Sequence, residues 1–268
     1  MSRRAASPAA LAAKGAARRP LPRRAWSGAL APLVGLALAT MPLARPLSAA
    51  ECRLALVLAM DVSSSVDAAE DALQRGGLAS ALLAPEVEAA LFAGDLPVAL
   101  AAFEWSGRYN HEILVDWTLI DSPETLQGVA RSIGSSTRSH DEFPTAIGYA
   151  LGFAAGLLDR GPTCLHQTVD LAGDGENNEG FAPSRAYANF AFADVVVNGL
   201  AIDVAGTEAE ISLANYYRNE VIRGPGAFVE VARGFEDYER AMRRKLEREL
   251  RPRVIGRAPG AAAPGHPG

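Results

Sequence analysis

The stretch Leu54-Ala55-Leu56-Val57-Leu58-Ala59-Met60 runs directly into Asp61-Val62-Ser63-Ser64-Ser65. Its first part is apolar throughout, about the length of one strand, and it ends in small polar oxygen donors. In an extended continuation alternate side chains share a face, so Asp61, Ser63 and Ser65 converge while Val62 and Ser64 turn aside. One carboxylate and two hydroxyls on one face suit a hard divalent cation, because Mg²⁺ prefers octahedral oxygen and keeps some of its waters. The same residues also read as a Ser-rich turn capping the next helix, since Asp and Ser are favoured N-caps.

Outward from this stretch, strand and helix patterns alternate. A helix is expected from Asp67 to about Leu83, with Asp67 or Ser65 as its cap. Pro97–Glu104 reads as a second buried strand, and His111–Leu119 alternates apolar and polar residues like a half-buried edge strand. Ser122-Pro123-Glu124 opens a helix, with proline at its first position. A polar loop over residues 134–143 leads to a helix from Thr145 to about Leu158. There follow a strand ending at Asp174, a helix after Pro183, a strand Val195–Ile202 and a helix around Glu208–Arg218. A strand Ala227–Val231 and a last helix, Phe235–Leu250, complete the pattern. Strands alternating with helices predict an α/β domain with a mostly parallel sheet covered on both faces.

Two later segments bear on the Asp-Ser-Ser stretch. Thr145-Ala146-Ile147-Gly148-Tyr149 places a threonine at a helix entry, and Val169-Asp170-Leu171-Ala172-Gly173-Asp174-Gly175 ends a second buried strand in a carboxylate between glycines. Taken singly, these are a cap and a turn. Asp-x-Ser-x-Ser, then Thr, then Asp, in this order and at this spacing, resembles the metal-ion-dependent adhesion site of von Willebrand factor A-type domains. The resemblance runs from about Glu51 to Leu250. It is nearer still to an uncharacterised bacterial exported branch of that superfamily, which carries stretches like Phe103-Glu104-Trp105-Ser106-Gly107, Gly173-Asp174-Gly175-Glu176-Asn177-Asn178 and Gly224-Pro225-Gly226-Ala227-Phe228.

That resemblance implies a single Rossmann-like domain over residues 51–250, its mostly parallel sheet bearing one antiparallel edge strand and helices on both faces. It implies that Ser63, Ser65 and Thr145 bind Mg²⁺ directly (Mn²⁺ or Ca²⁺ are alternatives), while Asp61 and Asp174 act mostly through bound water. Ser64 departs from the pattern, standing where many relatives have glycine. Cys52 and Cys164 are the two cysteines of the chain, and each precedes one of the strands that end in Asp61 and Asp174. Those strands are parallel neighbours in the fold resembled, which implies a Cys52–Cys164 disulfide at the sheet end opposite the metal; two free buried thiols are the alternative.

The first 50 residues read as a segment apart from the fold. Residues 1–24 hold seven basic residues and no acid; an apolar stretch Gly28–Ala44 and Ser48-Ala49-Ala50 follow. This is the order of a secretory signal peptide, and prolines 32 and 42 break the apolar stretch short of the ~20 residues a spanning helix needs. The protein is therefore expected to be exported, periplasmic or secreted, without stable membrane insertion after cleavage. Residues 251–268, rich in Ala, Pro and Gly, are expected to be a disordered tail.

Eight of the 26 basic residues and none of the 31 acidic ones lie in residues 1–50, so the remainder carries 18 basic residues against 31 acidic, a net of about −13. Such a surface excludes nucleic acid as a natural partner and disfavours anionic membranes. No Gly-x-x-x-x-Gly-Lys phosphate loop is present. The reading that follows is an exported, metal-dependent protein-binding module, not an enzyme, whose ion takes an Asp or Glu carboxylate from a protein partner. The alternatives are a metal-assisted hydrolase, with a base from His140, Asp141 or Glu142, and a structural domain whose site is vestigial. Trp105 reads as a packed strand end, or as an interface anchor if it is exposed.

Overall fold

The computed structural model describes residues 50–204 and 207–251. The expected leader, apart from its last residue, and the expected tail from residue 252 onward lie outside the described residues.

Strand β1 (Cys52–Asp61) is the structural axis of the molecule. Its even-numbered residues Leu54, Leu56 and Leu58 enter one apolar core, and Ala55, Val57 and Ala59 enter another on the opposite face. That division explains why the run never alternates with polar residues: both faces are covered. Helices α1 (Ala68–Leu82), α2 (Pro85–Leu91), α3 (Pro123–Gly134) and α7 (Tyr238–Leu250) contribute to the first core. Helices α4 (Ile147–Asp159) and α5 (Pro183–Asn189) contribute to the second, with the residues that follow α6 (Thr207–Tyr216).

The remaining strands are β2 (Val98–Ser106), β3 (Asn110–Ile120), β4 (Cys164–Gly173), β5 (Val195–Asp203) and β6 (Val229–Arg233). Their order in the sheet is β3-β2-β1-β4-β5-β6. All neighbouring pairs are parallel except β2 and β3, which form an antiparallel hairpin. The α/β class and the single antiparallel edge strand thus match the sequence reading. From the carboxyl end of β1 the chain goes on to β2, whereas from that of β4 it goes on to β5 on the other side. The boundary between β1 and β4 is therefore where the strand order reverses, and ligands of open α/β sheets bind beyond such a reversal.

Cys52 and Cys164 are register partners at the opposite end of these two strands and form a disulfide, with Cα atoms 4.5 Å apart. Trp105 is fully buried, so it is a packing residue. Helix α2 was not legible as an element of its own: Pro85 at its first position, in the Ala-Pro-Glu sequence, is the signal for it.

Candidate metal centre

β1 stops at Asp61, one residue past its last apolar side chain, and Ser64 and Ser65 lie in a turn. Strand alternation is thus not what gathers Asp61, Ser63 and Ser65; the turn is. Val62, expected to turn aside, is buried in the protein, while Ser64 is exposed. The turn is tied at its start by Asp61, whose Oδ1 accepts from the Ser63 backbone N–H at 2.8 Å. Of the two proposed caps for α1, Asp67 serves. Its side chain accepts from the Ala69 and Glu70 backbone N–H groups, and the Glu70 side chain accepts in return from the Asp67 N–H, a complete capping box. That leaves the Ser65 hydroxyl unused by the helix, and it donates to Asp174 Oδ1 at 2.8 Å.

The five sequence-predicted residues meet in one cluster. Ser63 Oγ lies 3.2 Å from Ser65 Oγ, and Thr145 Oγ1 donates to Ser63 Oγ at 3.2 Å. Thr145 stands just before α4 rather than inside it, because its hydroxyl faces Ser63 instead of capping the helix. The α4 cap, Ala146, has no side-chain hydrogen bond of its own. The loop after β4 compensates: Asn178 Oδ1 accepts from the Thr145 N–H at 2.9 Å, and Asn177 Oδ1 accepts from the Gly148 N–H at 3.1 Å. The Asn178 and Glu179 N–H groups both donate back to the Thr145 carbonyl. Gly173-Asp174-Gly175-Glu176-Asn177-Asn178 is therefore one device, placing a carboxylate at the site and clamping the threonine beside it.

Further residues, not singled out from sequence, hold the opposite wall. Arg138, in the polar loop before Thr145, donates to the carbonyls of Val62, Ser63 and Val66 at 2.6–2.8 Å and so grips the serine turn by its backbone. Gln74 Nε2 donates to the Asp61 carbonyl at 2.8 Å. Glu104, buried at the end of β2, accepts from Arg75 of α1 and from the Ser139 backbone and hydroxyl, which fixes the loop that carries Arg138. An isolated arginine in a polar loop carries no sequence signal for such a role. His140, Asp141 and Glu142, the candidate bases of the hydrolase alternative, are exposed.

The electrostatics of the cluster fit a cation. Asp61 is fully buried, and its Oδ2 has no hydrogen-bond partner. Burial, followed by the nearby charge of Asp174, pushes the Asp61 carboxyl up to about 8. Burial also raises Asp174, against the hydrogen bond from Ser65. Two carboxylates and three hydroxyls, with one carboxylate oxygen buried and unpaired, form an all-oxygen donor set that a hard divalent ion satisfies. Among the described residues no group of three or more His, Cys, Asp or Glu side chains is placed to hold a metal.

A six-stranded sheet of this order, flanked by helices on both faces, is the fold of von Willebrand factor A-type domains. The chain belongs to the family described as "Protein of unknown function (DUF1194)", whose pattern matches residues 51–254. Among solved structures it is similar to proximal thread matrix protein 1 from the mussel byssus, at 12% identity and a TM-score of 0.53, over 74% of this chain and 48% of that one. Another structure of the same byssus protein, with a zinc-occupied metal-ion-dependent adhesion motif, matches at 15% identity and a TM-score of 0.51, over 75% and 48% of the two chains. The pilus adhesin SpaC from Lactobacillus rhamnosus GG matches at 12% identity and a TM-score of 0.53, over 74% of this chain and 31% of the adhesin. The chain thus spans less than half the length of these solved chains, and at such identities the likeness is one of fold. No curated protein matches the chain.

Proposed function

We propose that this protein is an exported, divalent-metal-dependent protein-binding module of the adhesion type. Ser63, Ser65 and Thr145 hold a Mg²⁺-like ion directly, Asp61 and Asp174 support it mostly through water, and an Asp or Glu of a protein partner completes its shell. The observation that carries this reading is the convergence of five oxygen-bearing side chains from three separate segments, one of them a buried carboxylate with an unpaired oxygen. Hydroxyl donors leave more positive charge on an ion than carboxylates do, and that favours capture of a further anionic oxygen from outside. Mn²⁺ satisfies the same donors, and Ca²⁺ is the larger alternative. The similarity in fold to a pilus adhesin and to a byssus protein with a metal-occupied site is consistent with this class of role.

Export is supported by the disulfide, which belongs to an oxidising compartment. Among the described residues no helix is long and apolar enough to cross a membrane. The acidic surface selects among partners: one that offers a carboxylate within a basic surround avoids long-range repulsion.

The test is calorimetric titration of Mg²⁺ and Mn²⁺ into the metal-free protein, beside an Asp61→Ala, Ser63→Ala double variant. One-to-one binding that is lost in a still-folded variant is the expected result. Equal heats in both proteins would remove the site from consideration.

A further inference from the structure

Tyr217 begins a single π-helical turn, Tyr217–Val221, at the end of α6. π-helical turns are rare and are found frequently at functional sites. The Tyr217 ring is wholly buried and rests on glycines of two adjacent strands. A Cβ built on Gly199 of β5 would stand 2.6 Å from Tyr217 Cδ1. A Cβ built on Gly173 of β4 would stand 2.6 Å from the Tyr217 hydroxyl oxygen and 2.7 Å from Asp61 Oδ2. The two oxygens therefore face the same glycine, no more than about 5.3 Å apart, within reach of one bridging water. Both are buried, and neither has a hydrogen-bond partner within the protein. Leaving both unpaired is unfavourable, so a common use for the two accounts for both at once.

We infer that Tyr217 is a positioning residue of the metal centre, its hydroxyl donating to Asp61 Oδ2 through one bridging water and so fixing the carboxylate for its work beside the ion. Asp61 Oδ1 is already held by the Ser63 N–H; a donor at Oδ2 fixes the remaining rotation of the group. A carboxylate oxygen accepts two hydrogen bonds, so Tyr217 and the shell of the ion do not compete. The inference rests on the metal-binding reading and adds a residue that lies outside the five oxygen donors. Outer partners of this kind are worth roughly 10–100-fold in metal affinity where they have been removed from metal sites.

The experiment compares the full chain with Tyr217→Phe, Asp61→Asn and the double variant, reading Mn²⁺ affinity by calorimetry and melting temperature without metal. Phenylalanine keeps the packing and removes the hydroxyl alone. Tyr217→Phe is expected to bind Mn²⁺ roughly 10-fold more weakly or worse, with a modestly lower metal-free melting temperature, because Asp61 Oδ2 loses its donor. In the Asp61→Asn background the same change is expected to have no further effect, because the partner is already gone. Unchanged affinity in Tyr217→Phe, while the unaltered chain binds, overturns the inference and leaves the metal reading standing. A loss of affinity and of melting temperature that persists in the Asp61→Asn background assigns Tyr217 to packing and overturns it as well. Absence of Mn²⁺ binding by the unaltered chain overturns both readings.

Discussion

Gly173 separates three groups that all need the same space: the Asp61 carboxylate, the Tyr217 hydroxyl and the chain turning toward Asp174. Its lack of a side chain matters here for clearance, because its backbone is ordinary strand. In Gly173→Ala the new methyl meets two buried oxygens at under 3 Å, and neither belongs to the free end of a flexible surface side chain. The expected result is a loss of about 1–3 kcal/mol of stability together with loss of Mn²⁺ binding, read by urea unfolding and calorimetry. Gly76 on α1 is the matched control: a Cβ there meets nothing within 4 Å. Gly76→Ala is expected to be neutral or to stabilise by about 0.4–1 kcal/mol through the unfolded chain, with metal binding unchanged. Similar losses in both variants would mean that clearance at the site is not what Gly173 provides.

The loop between β4 and α5 and the loop before α4 hold the centre together, and their roles differ in how visible they are in sequence. Asn178→Ala removes the acceptor from the Thr145 N–H, and Asn177→Ala does the same at Gly148. Each is expected to cost about 1 kcal/mol, as a lost helix cap does, and to speed hydrogen exchange of amides in the first turn of α4. Arg138→Met frees three carbonyls of the serine turn and is expected to cost roughly 1.5–3 kcal/mol, the range for hydrogen bonds to a charged group. Unaltered exchange at α4 in Asn178→Ala would count against the clamp. The strands and most helices were legible because apolar runs, prolines and cap residues act over short distances along the chain. The clustering of Asp61, Ser63, Ser65, Thr145 and Asp174 was legible through their order and spacing. Arg138 and Gln74 were not, because each reaches its partner across the fold and nothing beside it in sequence marks it. The asparagine pair was visible as a motif, yet its work, capping a helix that starts some thirty residues earlier at Ile147, emerges only when β1 and β4 lie side by side.

Across the whole molecule the stabilising devices are segregated from the site. The disulfide closes a sequence separation of 112 residues at one end of the sheet, and the oxygen cluster lies about 30 Å away, at the other end of strands that rise ~3.3 Å per residue. Replacing both cysteines by serine is expected to lower stability by up to about 4–5 kcal/mol, measured by urea unfolding, while the Mn²⁺ affinity of the folded fraction stays the same. A second device lies on the face covered by α7. Lys245 is wholly buried and pairs with both Asp170 and Glu249, and Asn198 Nδ2 also donates to Glu249 at 2.6 Å. One ammonium thus serves two buried carboxylates. Burial, and then the charge of Asp170, push the Glu249 carboxyl up to about 8, against the pull of Lys245. The unfolded chain releases that proton near the usual glutamate value of about 4.3. Between these values the folded state holds a proton that the unfolded state has lost, so the stability from this group is full below the lower value and falls as pH rises toward 8. Asp61 titrates in the same direction in the metal-free protein, but its share cancels when the unaltered protein is compared with Glu249→Gln, a change on the far side of the sheet. The difference in unfolding free energy between the two is expected to shift in favour of Glu249→Gln by roughly 1–3 kcal/mol from pH 5 to pH 8. Parallel stability curves over that range would mean that Glu249 titrates alike in the folded and unfolded chain.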